Sequence, residues 1–421
     1  MAAVWRLESG VLIGALTRML HDIALAEEVA QDALMAALDH WPREGLPTKP
    51  GAWLMTTAKH KALDHLRRQA MLAREHDALA QDLAAAQADV QPDFVDALDA
   101  ARQDEIGDDL LRLIFTACHP ALQREAQVAL TLRLLGGLST TEIARAHLLP
   151  EATIAQRIVR AKRALKGQSH ELPVGAARSE RLQAVRAVIY LIFNEGYAAS
   201  SGGDWTRPEL CAEALRLARV LAALLPADAE VLGLVALLEI QSSRLSARVD
   251  GQGQPVLLMD QDRRRWDTLL IRRGLAALAQ AQALGAPGPY TLQAAIAACH
   301  ARAAQAQDTD WAAIVDLYDQ LLRVSPSPVV ALNRAAALGM APPPQGGPAA
   351  ALDAVEALAA DKSLAHYPWL YSVRGDLLQR LSRHADAAKD FDQAAALSGN
   401  DRDRALLLQR AQVSRDACGS R

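Results

Sequence analysis

Residues 137–166, GLSTTEIARAHLLPEATIAQRIVRAKRALK, contain the start signal, the turn and the cationic face of a helix-turn-helix. Ser139 followed by Glu142 is a capping box, in which hydroxyl and carboxylate reciprocally satisfy the backbone N–H groups left over at a helix start. His147-Leu148-Leu149-Pro150 breaks that first, short helix. Pro150 and Glu151 suit the opening turn of a second helix, where a missing N–H costs nothing and a carboxylate complements the dipole. Ile154, Ile158 and Leu165 recur at helical spacing on one apolar face. Thr153, Gln156, Arg157, Arg160, Lys162 and Arg163 are left to meet phosphates and base edges. A solvated surface helix is basic and amphipathic too, but capping box, turn and proline in succession favour a DNA-reading helix.

The rest of the 421-residue chain is composed for helices. Its length suits two or three domains of roughly 100–200 residues. With 51% hydrophobic and 22% charged residues it has the make-up of a soluble globular protein. Alanine and leucine dominate, aromatics are 4%, and almost no β-branched run alternates with period two, which predicts an all-α fold. Because the net charge is −4, attraction to nucleic acid has to come from local patches. Cys118, Cys211, Cys299 and Cys418 are scattered, which argues against a zinc site or a disulfide framework and for a reducing compartment. Residues 1–20 are interrupted by Arg6, Glu8 and Arg18, unlike a signal peptide, and no uncharged stretch is long enough to span a bilayer. A cytoplasmic protein is expected. His60, Asp64 and His65 lack the further ligands a metal requires, and no phosphate loop, nucleophile elbow or paired-carboxylate constellation occurs. Neither catalysis, metal nor cofactor is expected.

Upstream, residues 4–69 read as a compact helical domain. Between His21 and Trp41, the apolar positions Ile23, Val29, Leu34, Leu38 and Trp41 leave Glu27, Glu28, Gln31 and Asp32 as a mostly acidic exposed face. A turn-rich stretch with Pro47, Lys49 and Pro50 follows. In GAWLMTTAKHKALDHLRR, residues 51–68, Trp53, Leu54, Ala58, Leu63 and Leu66 are expected in the core, with Lys59, Lys61, Arg67 and Arg68 outward. From Asp77 to Asp109, ten acidic residues stand against Arg102 alone, the composition of a self-repelling linker. Residues 109–166 form a second small helical domain whose first two helices support the reader.

Beyond residue 169 the chain turns to alanine- and leucine-rich helix pairs. Gly375, Ala387, Phe391, Ala394 and Gly399 match a tetratricopeptide helix pair, with looser copies ending at Pro226, Pro287 and Pro326. The irregular spacing predicts a degenerate solenoid. Two interruptions stand out. Residues 247–267, with a glycine-rich turn between short apolar runs, are expected to form a small β-ribbon. Residues 193–209 form a polar loop ending in a capping box from Thr206 to Glu209. Its Asn194, Glu195, Tyr197, Asp204 and Trp205 either line a pocket or belong to a rigid inter-helix loop.

In order, DIALAEEVAQDALMAALDHW, PGAWLMTTAKHKALDHLRR, the acidic linker and the helix-turn-helix resemble the two domains of bacterial sigma factors of the extracytoplasmic-function type. FTACHPAL, IFNEGYAASSG and DQDRRRWD resemble the subgroup with a long tetratricopeptide-like extension. The resemblance implies a region 2 domain over 1–72, an acidic linker over 73–108, a region 4 domain over 109–168 and a C-terminal helical domain over 169–421. It also implies core RNA polymerase and promoter DNA as partners. Glu28, Gln31, Asp32 and Leu34 match the core-binding helix. Lys49, Trp53, Lys59, His60, Lys61, Arg67 and Arg68 match the part that takes the minus-ten element, where relatives often carry asparagine in place of His60. Thr153, Gln156, Arg157, Arg160, Lys162 and Arg163 fall to the minus-thirty-five reader, and relatives often place lysine and serine at Ala155 and Gln156. The C-terminal domain is expected to act in cis, with a protein or small-molecule partner of its own. A helix-turn-helix regulator that never docks on polymerase is the alternative, but it leaves the acidic helix, the proline loop and the LDHLRR segment without a task.

Overall fold

Aspartates, prolines and glycines set most of the helix boundaries. The structure, a computed structural model, describes residues 2–80, 102–147, 149–168 and 175–419. Among them are eighteen α-helices and no strand, the all-α fold expected from composition. The chain divides into two units, Met1–Val188 and Ile189–Arg421, and the division falls inside α8 (Gly175–Tyr197).

The first unit begins with α1 (Ala2–Leu20), α2 (Ile23–Glu44) and α3 (Pro50–Ala80). Asp22 caps α2, its Oδ1 accepting from the N–H groups of Ala24 and Leu25 at 2.8 and 3.1 Å. Gly45, at φ 93°, ends that helix in a conformation that favours glycine. Leu12, Ile13 and Leu16 of α1 pack with Val29, Ala33 and Trp41 of α2 and with Leu54, Ala58 and Ala62 of α3. The small alanines let the three helices approach closely. Leu63, expected in this core, is 43% exposed, because the buried stripe of α3 steps by four from Leu54 and selects Ala62 instead.

Next come α4 (Arg102–Ala117), α5 (Arg124–Leu134), α6 (Thr140–His147) and α7 (Glu151–Leu165). The Gln127 amide donates to the carbonyls of Cys118 and His119 at 3.3 and 3.0 Å and closes the turn between α4 and α5. The first half of α8 is tied to α4 by Arg181, whose Nη1 donates to the Phe115 carbonyl at 3.3 Å. The linker expected over 73–108 is helical at both ends, since α3 runs to Ala80 and α4 starts at Arg102. Its residues 81–101 lie outside the described residues.

In the second unit α8 is followed by α9 (Pro208–Leu224), α10 (Ala229–Ser242), α11 (Thr268–Ala283) and α12 (Pro289–Arg302). The remainder are α13 (Trp311–Val324), α14 (Pro328–Met340), α15 (Pro348–Leu358), α16 (Pro368–Arg380), α17 (His384–Leu397) and α18 (Asp401–Gly419). Five of these helices carry proline in their first turn, where its fixed φ is already helical. From α9 onward each helix packs on its neighbours in the chain, and successive groups share apolar layers around Leu278, then Leu321, then Phe391. This is the solenoid-like stack expected. Phe391 fits into the space left by Gly375, where a Cβ would stand 2.9 Å from the ring.

Two local expectations are corrected. Residues 247–267 follow a 3-10 turn at Leu245–Ala247 and contain two more at Leu258–Asp260 and Arg263–Arg265, and the expected ribbon is reduced to a single bridge between Val249 and Pro255. Asp250 tightens that segment instead, accepting from the N–H groups of Gln252 and Gln254 at 2.8 Å. Thr206 does not cap α9, whose N-cap is Arg207 without a side-chain cap bond. The stack also makes a contact beyond sequential neighbours. The Asn400 amide donates to the carbonyls of Ala199 and Asp204 at 3.2 and 2.8 Å, fastening the last inter-helix loop of the unit to its first.

Candidate nucleic-acid interface

The capping box at the start of α6 is present in full: Ser139 N–H donates to Glu142 Oε2 at 2.7 Å, and Glu142 N–H to Ser139 Oγ at 3.1 Å. Thr141 Oγ1 then donates to the Glu151 carboxylate at 3.0 Å, which fixes α7 against the preceding helix. Ile154, Ile158, Ala161 and Leu165 are buried. Thr153, Gln156, Arg160 and Arg163 are exposed and Arg157 half-buried. Thr153, Gln156, Arg157 and Arg160 border a groove of about 570 Å³ shared with residues 121–126. The arrangement can present amide, hydroxyl and guanidinium groups together to a base edge or a phosphate.

Lys162 differs from the other reader cations. It is turned to the Glu27 carboxylate of α2 and its side chain is only 19% exposed. Glu27 is itself 4% exposed, not part of a solvated acidic face. It accepts from Arg133 Nε of α5 at 2.7 Å and from Gln31 Nε2 at 2.8 Å. Its position was legible on the helical wheel, between buried Ile23, Ala26 and Ala30; its partners were not. Of the core-binding residues, Glu28 and Asp32 are exposed while Gln31 and Leu34 are half-buried. Met35 and Leu38, 63% and 44% exposed, extend the same region with apolar surface.

Lys49 is exposed in the turn before α3. On α3, His60, Arg67 and Arg68 are exposed and Lys59 and Lys61 half-buried, with Arg67 3.6 Å from Asp64. Trp53 stacks on His40 with ring centroids 5.7 Å apart and meets Trp41 edge-on at 5.4 Å, one face of an aromatic cluster beside the proline turn.

Of the residues expected either to line a pocket or to form a rigid loop, Asn194, Glu195 and Tyr197 end α8, and Asp204 and Trp205 lie in the loop that follows it. Glu195 pairs with Arg207, and Tyr197 and Trp205 hold the Arg248 guanidinium at 3.7 and 4.4 Å from their ring centroids. Asp204 lends its carbonyl to Asn400, and Asn194 is exposed. None of the five borders the cavities of about 550 and 570 Å³ described in this unit. The DQDRRRWD motif is likewise structural: Arg263 Nη1 donates to the carbonyls of His300 and Ala303 at 2.5 and 2.7 Å and closes the C-terminus of α12. A concave feature of this unit, about 550 Å³, is bordered by Met259, Trp311, Met340, Trp369 and Arg410 among others. No helix of the described residues is long and apolar enough to cross a membrane.

Comparison with known proteins matches this geometry. Residues 6–71 match the family Sigma-70 region 2, residues 112–165 match Sigma-70, region 4, and residues 181–282 match a family of unknown function, DUF6596. The chain is similar to an uncharacterized protein of Rhizobium meliloti (strain 1021), 44% identical over 397 residues, which span 94% of this chain and 91% of that one. It is also similar to the RNA polymerase sigma-H factor of Pseudomonas aeruginosa, 28% identical over 155 residues, 37% of this chain and 78% of that protein. With regions 2 and 4 in order on a capped reader helix and a proline-led basic helix, and a helical domain after them, the chain belongs to the sigma factors of the extracytoplasmic-function type that carry a C-terminal extension.

Proposed function

We propose that this sigma factor docks on core RNA polymerase through Glu28, Gln31, Asp32 and Leu34 of α2 and engages the minus-ten element with the turn at Lys49 and α3. In this reading it reads the minus-thirty-five element with Thr153, Gln156, Arg157, Arg160 and Arg163 of α7. The observation that supports this most is the polarity of α7, apolar residues inward and amide, hydroxyl and guanidinium groups outward, behind a complete capping box. Acidic side chains beside exposed Met35 and Leu38 suit a basic partner surface, where charge sets register and on-rate and apolar contact supplies affinity. Such a partner places the protein in the cytoplasm. Transcription in vitro with purified core polymerase and a promoter library tests the assignment: product from a defined subset of promoters is expected. DNA binding without product would instead favour a regulator that does not dock.

The second unit, on this reading, regulates the factor in cis. More than half of the chain forms a helical stack with a concave face bordered by Trp311, Trp369 and Met340, and such faces commonly hold partners. Truncation after Tyr197, which keeps α8 whole, reads the sign. Promoter activity rises if the second unit masks the first and falls if it supports it, and equal activity across a titration removes the regulatory role.

A further inference from the structure

The concave feature of the second unit, about 550 Å³, draws its border from one stripe on each of three helices. Trp311 and Tyr318 on α13, Asn333 and Ala336 on α14, and Trp369 and Ser372 on α16 are spaced in sequence as residues of one helix face are. Three rings give it walls, and Trp369 leaves 42% of its surface open beside the other two. Among them stand hydrogen-bonding groups without a partner. Among the described residues the side chains of Tyr318, Asn333 and Ser372 make no hydrogen bond, and Ser372 is only 9% exposed. His300, which borders the same space, is 8% exposed and its Nδ1 is buried without a partner. A polar atom so placed is costly unless something satisfies it.

The charges around the space cancel. Asp376 accepts from Arg380 Nε at 2.8 Å and from Arg410 Nη2 at 2.5 Å, and with exposed Asp260 the bordering side chains sum to no net charge. Burial above all holds His300 at a pKa of about 3 and Tyr318 at about 12, so neither is charged at neutral pH.

We infer that this space is a binding site for an uncharged, planar aromatic small molecule, its rings against Trp311, Tyr318 and Trp369 and its polar atoms on Asn333, Ser372 and His300. The inference deepens the role proposed for the second unit, and its regulatory consequence rests on that role. Size and chemistry select the occupant. Small-molecule sites run to about 300–1,000 Å³, mostly apolar with a few convergent polar groups. An α-helix, about 10–12 Å across, would fill the same space with about one turn, too short for the spaced anchors by which a docked helix is recognised. An anion would find both guanidiniums engaged by Asp376, and a cation would find that carboxylate taken.

The test uses the full chain and two fluorescent probes that share one ring system, N-phenyl-1-naphthylamine and its sulfonate, 1-anilinonaphthalene-8-sulfonate. The uncharged probe should bind saturably at one site, about tenfold or more tighter than the sulfonate, whose charge has no partner there. Ala336→Trp, which fills the space, and Trp369→Ala, which removes a wall, should each weaken that binding by about tenfold or more with helical circular dichroism intact. 2-Naphthol should displace the probe at lower concentration than naphthalene, because only the naphthol can bond the unpartnered groups. Equal affinity for the two probes, equal displacement by naphthalene, or a variant of intact dichroism that keeps the parent affinity overturns the inference. So does the absence of saturable binding, which leaves the concave face to a peptide. Promoter activity of the full chain and of the truncation after Tyr197 separates the site from the regulatory role. A change on truncation without probe binding removes only the site, and probe binding with equal promoter activity removes only the regulation.

Discussion

Where the two small domains of the first unit meet, ion pairs stand beside close-set glycines and the side chains of Leu110 and Leu135; where helices of the second unit meet, continuous apolar layers make the contact. Glu27, Arg133, Lys162, Arg18 and Asp109 serve the first kind of junction, with Gly10 and Gly14 admitting a close backbone approach. In the second, Phe391 is wholly buried with Leu370, Leu377, Leu407 and Ala411. Ion pairs such as Arg374–Asp390, 2.6 Å, and Arg334–Asp319, 2.5 Å, join paired helices there, each with an arginine more than a quarter exposed. The contrast teaches how each region can behave. A charged contact transfers to another charged partner, whereas an apolar layer comes apart only by exposing its whole surface to water.

The largest expected effect tests the apolar side of this comparison. Phe391→Ala should destabilise the second unit by about 3–5 kcal/mol, measured by urea unfolding, since it leaves a cavity beside Gly375. A loss under about 1 kcal/mol would break the contrast. Next is the division of labour among exposed cations. Arg160→Ala should relax selectivity at particular base pairs by about 1–3 kcal/mol in a promoter-binding series. Arg68→Ala should weaken all promoters alike and lower the salt slope by about one. Identical profiles would remove the distinction.

A smaller effect follows from pH. Burial first, then Arg244 and Arg263, hold the His300 imidazole at a pKa of about 3, with Trp311 edge-on at 5.2 Å. Its folded pKa lies below the ordinary 6.5, so between those values the unfolded chain binds the extra proton and stability falls as the pH drops. Each pH unit below 6.5 should remove at most about 1.4 kcal/mol. His300→Gln should flatten that slope between pH 6.5 and 5.5 in thermal unfolding, and an unchanged slope would assign it to other groups. Smallest is Ser139→Ala, expected to cost about 1 kcal/mol through the lost cap. Its unfolding midpoint should move less than that of Phe391→Ala.

Much of this was readable before any coordinates. The capping box, the break before Pro150 and the inward face of α7 came from signals a few residues apart, and each is found where it was expected. Leu63 was placed on the wrong side because the apolar stripe was read by residue type, whereas close packing selected Ala62. The ribbon expected at 247–267 stops at one bridge: Val256 N–H donates to the Arg248 carbonyl at 2.8 Å and Asp250 N–H to the Gln254 carbonyl at 3.0 Å, and the chain then turns into the 3-10 turn at Leu258–Asp260. Tyr197 and Trp205 read in the sequence equally well as pocket walls or as part of a packed loop, and no local signal indicates that the Arg248 guanidinium lies against both rings.

Helix boundaries, the order of the two small domains, the outward face of the reader and the solenoid-like character of the rest follow from the chain alone, because caps, periodicity and turns act within one or two helical turns. Only the tertiary structure decided that Glu27 is bound to Arg133, 106 residues away, that Lys162 turns inward while Arg160 and Arg163 do not, and that Asn400 fastens the loop at Ala199, 201 residues earlier. The physical reason is the same each time: a charge or an amide can be satisfied by any complementary group that folding brings near, and nothing in its local sequence says which.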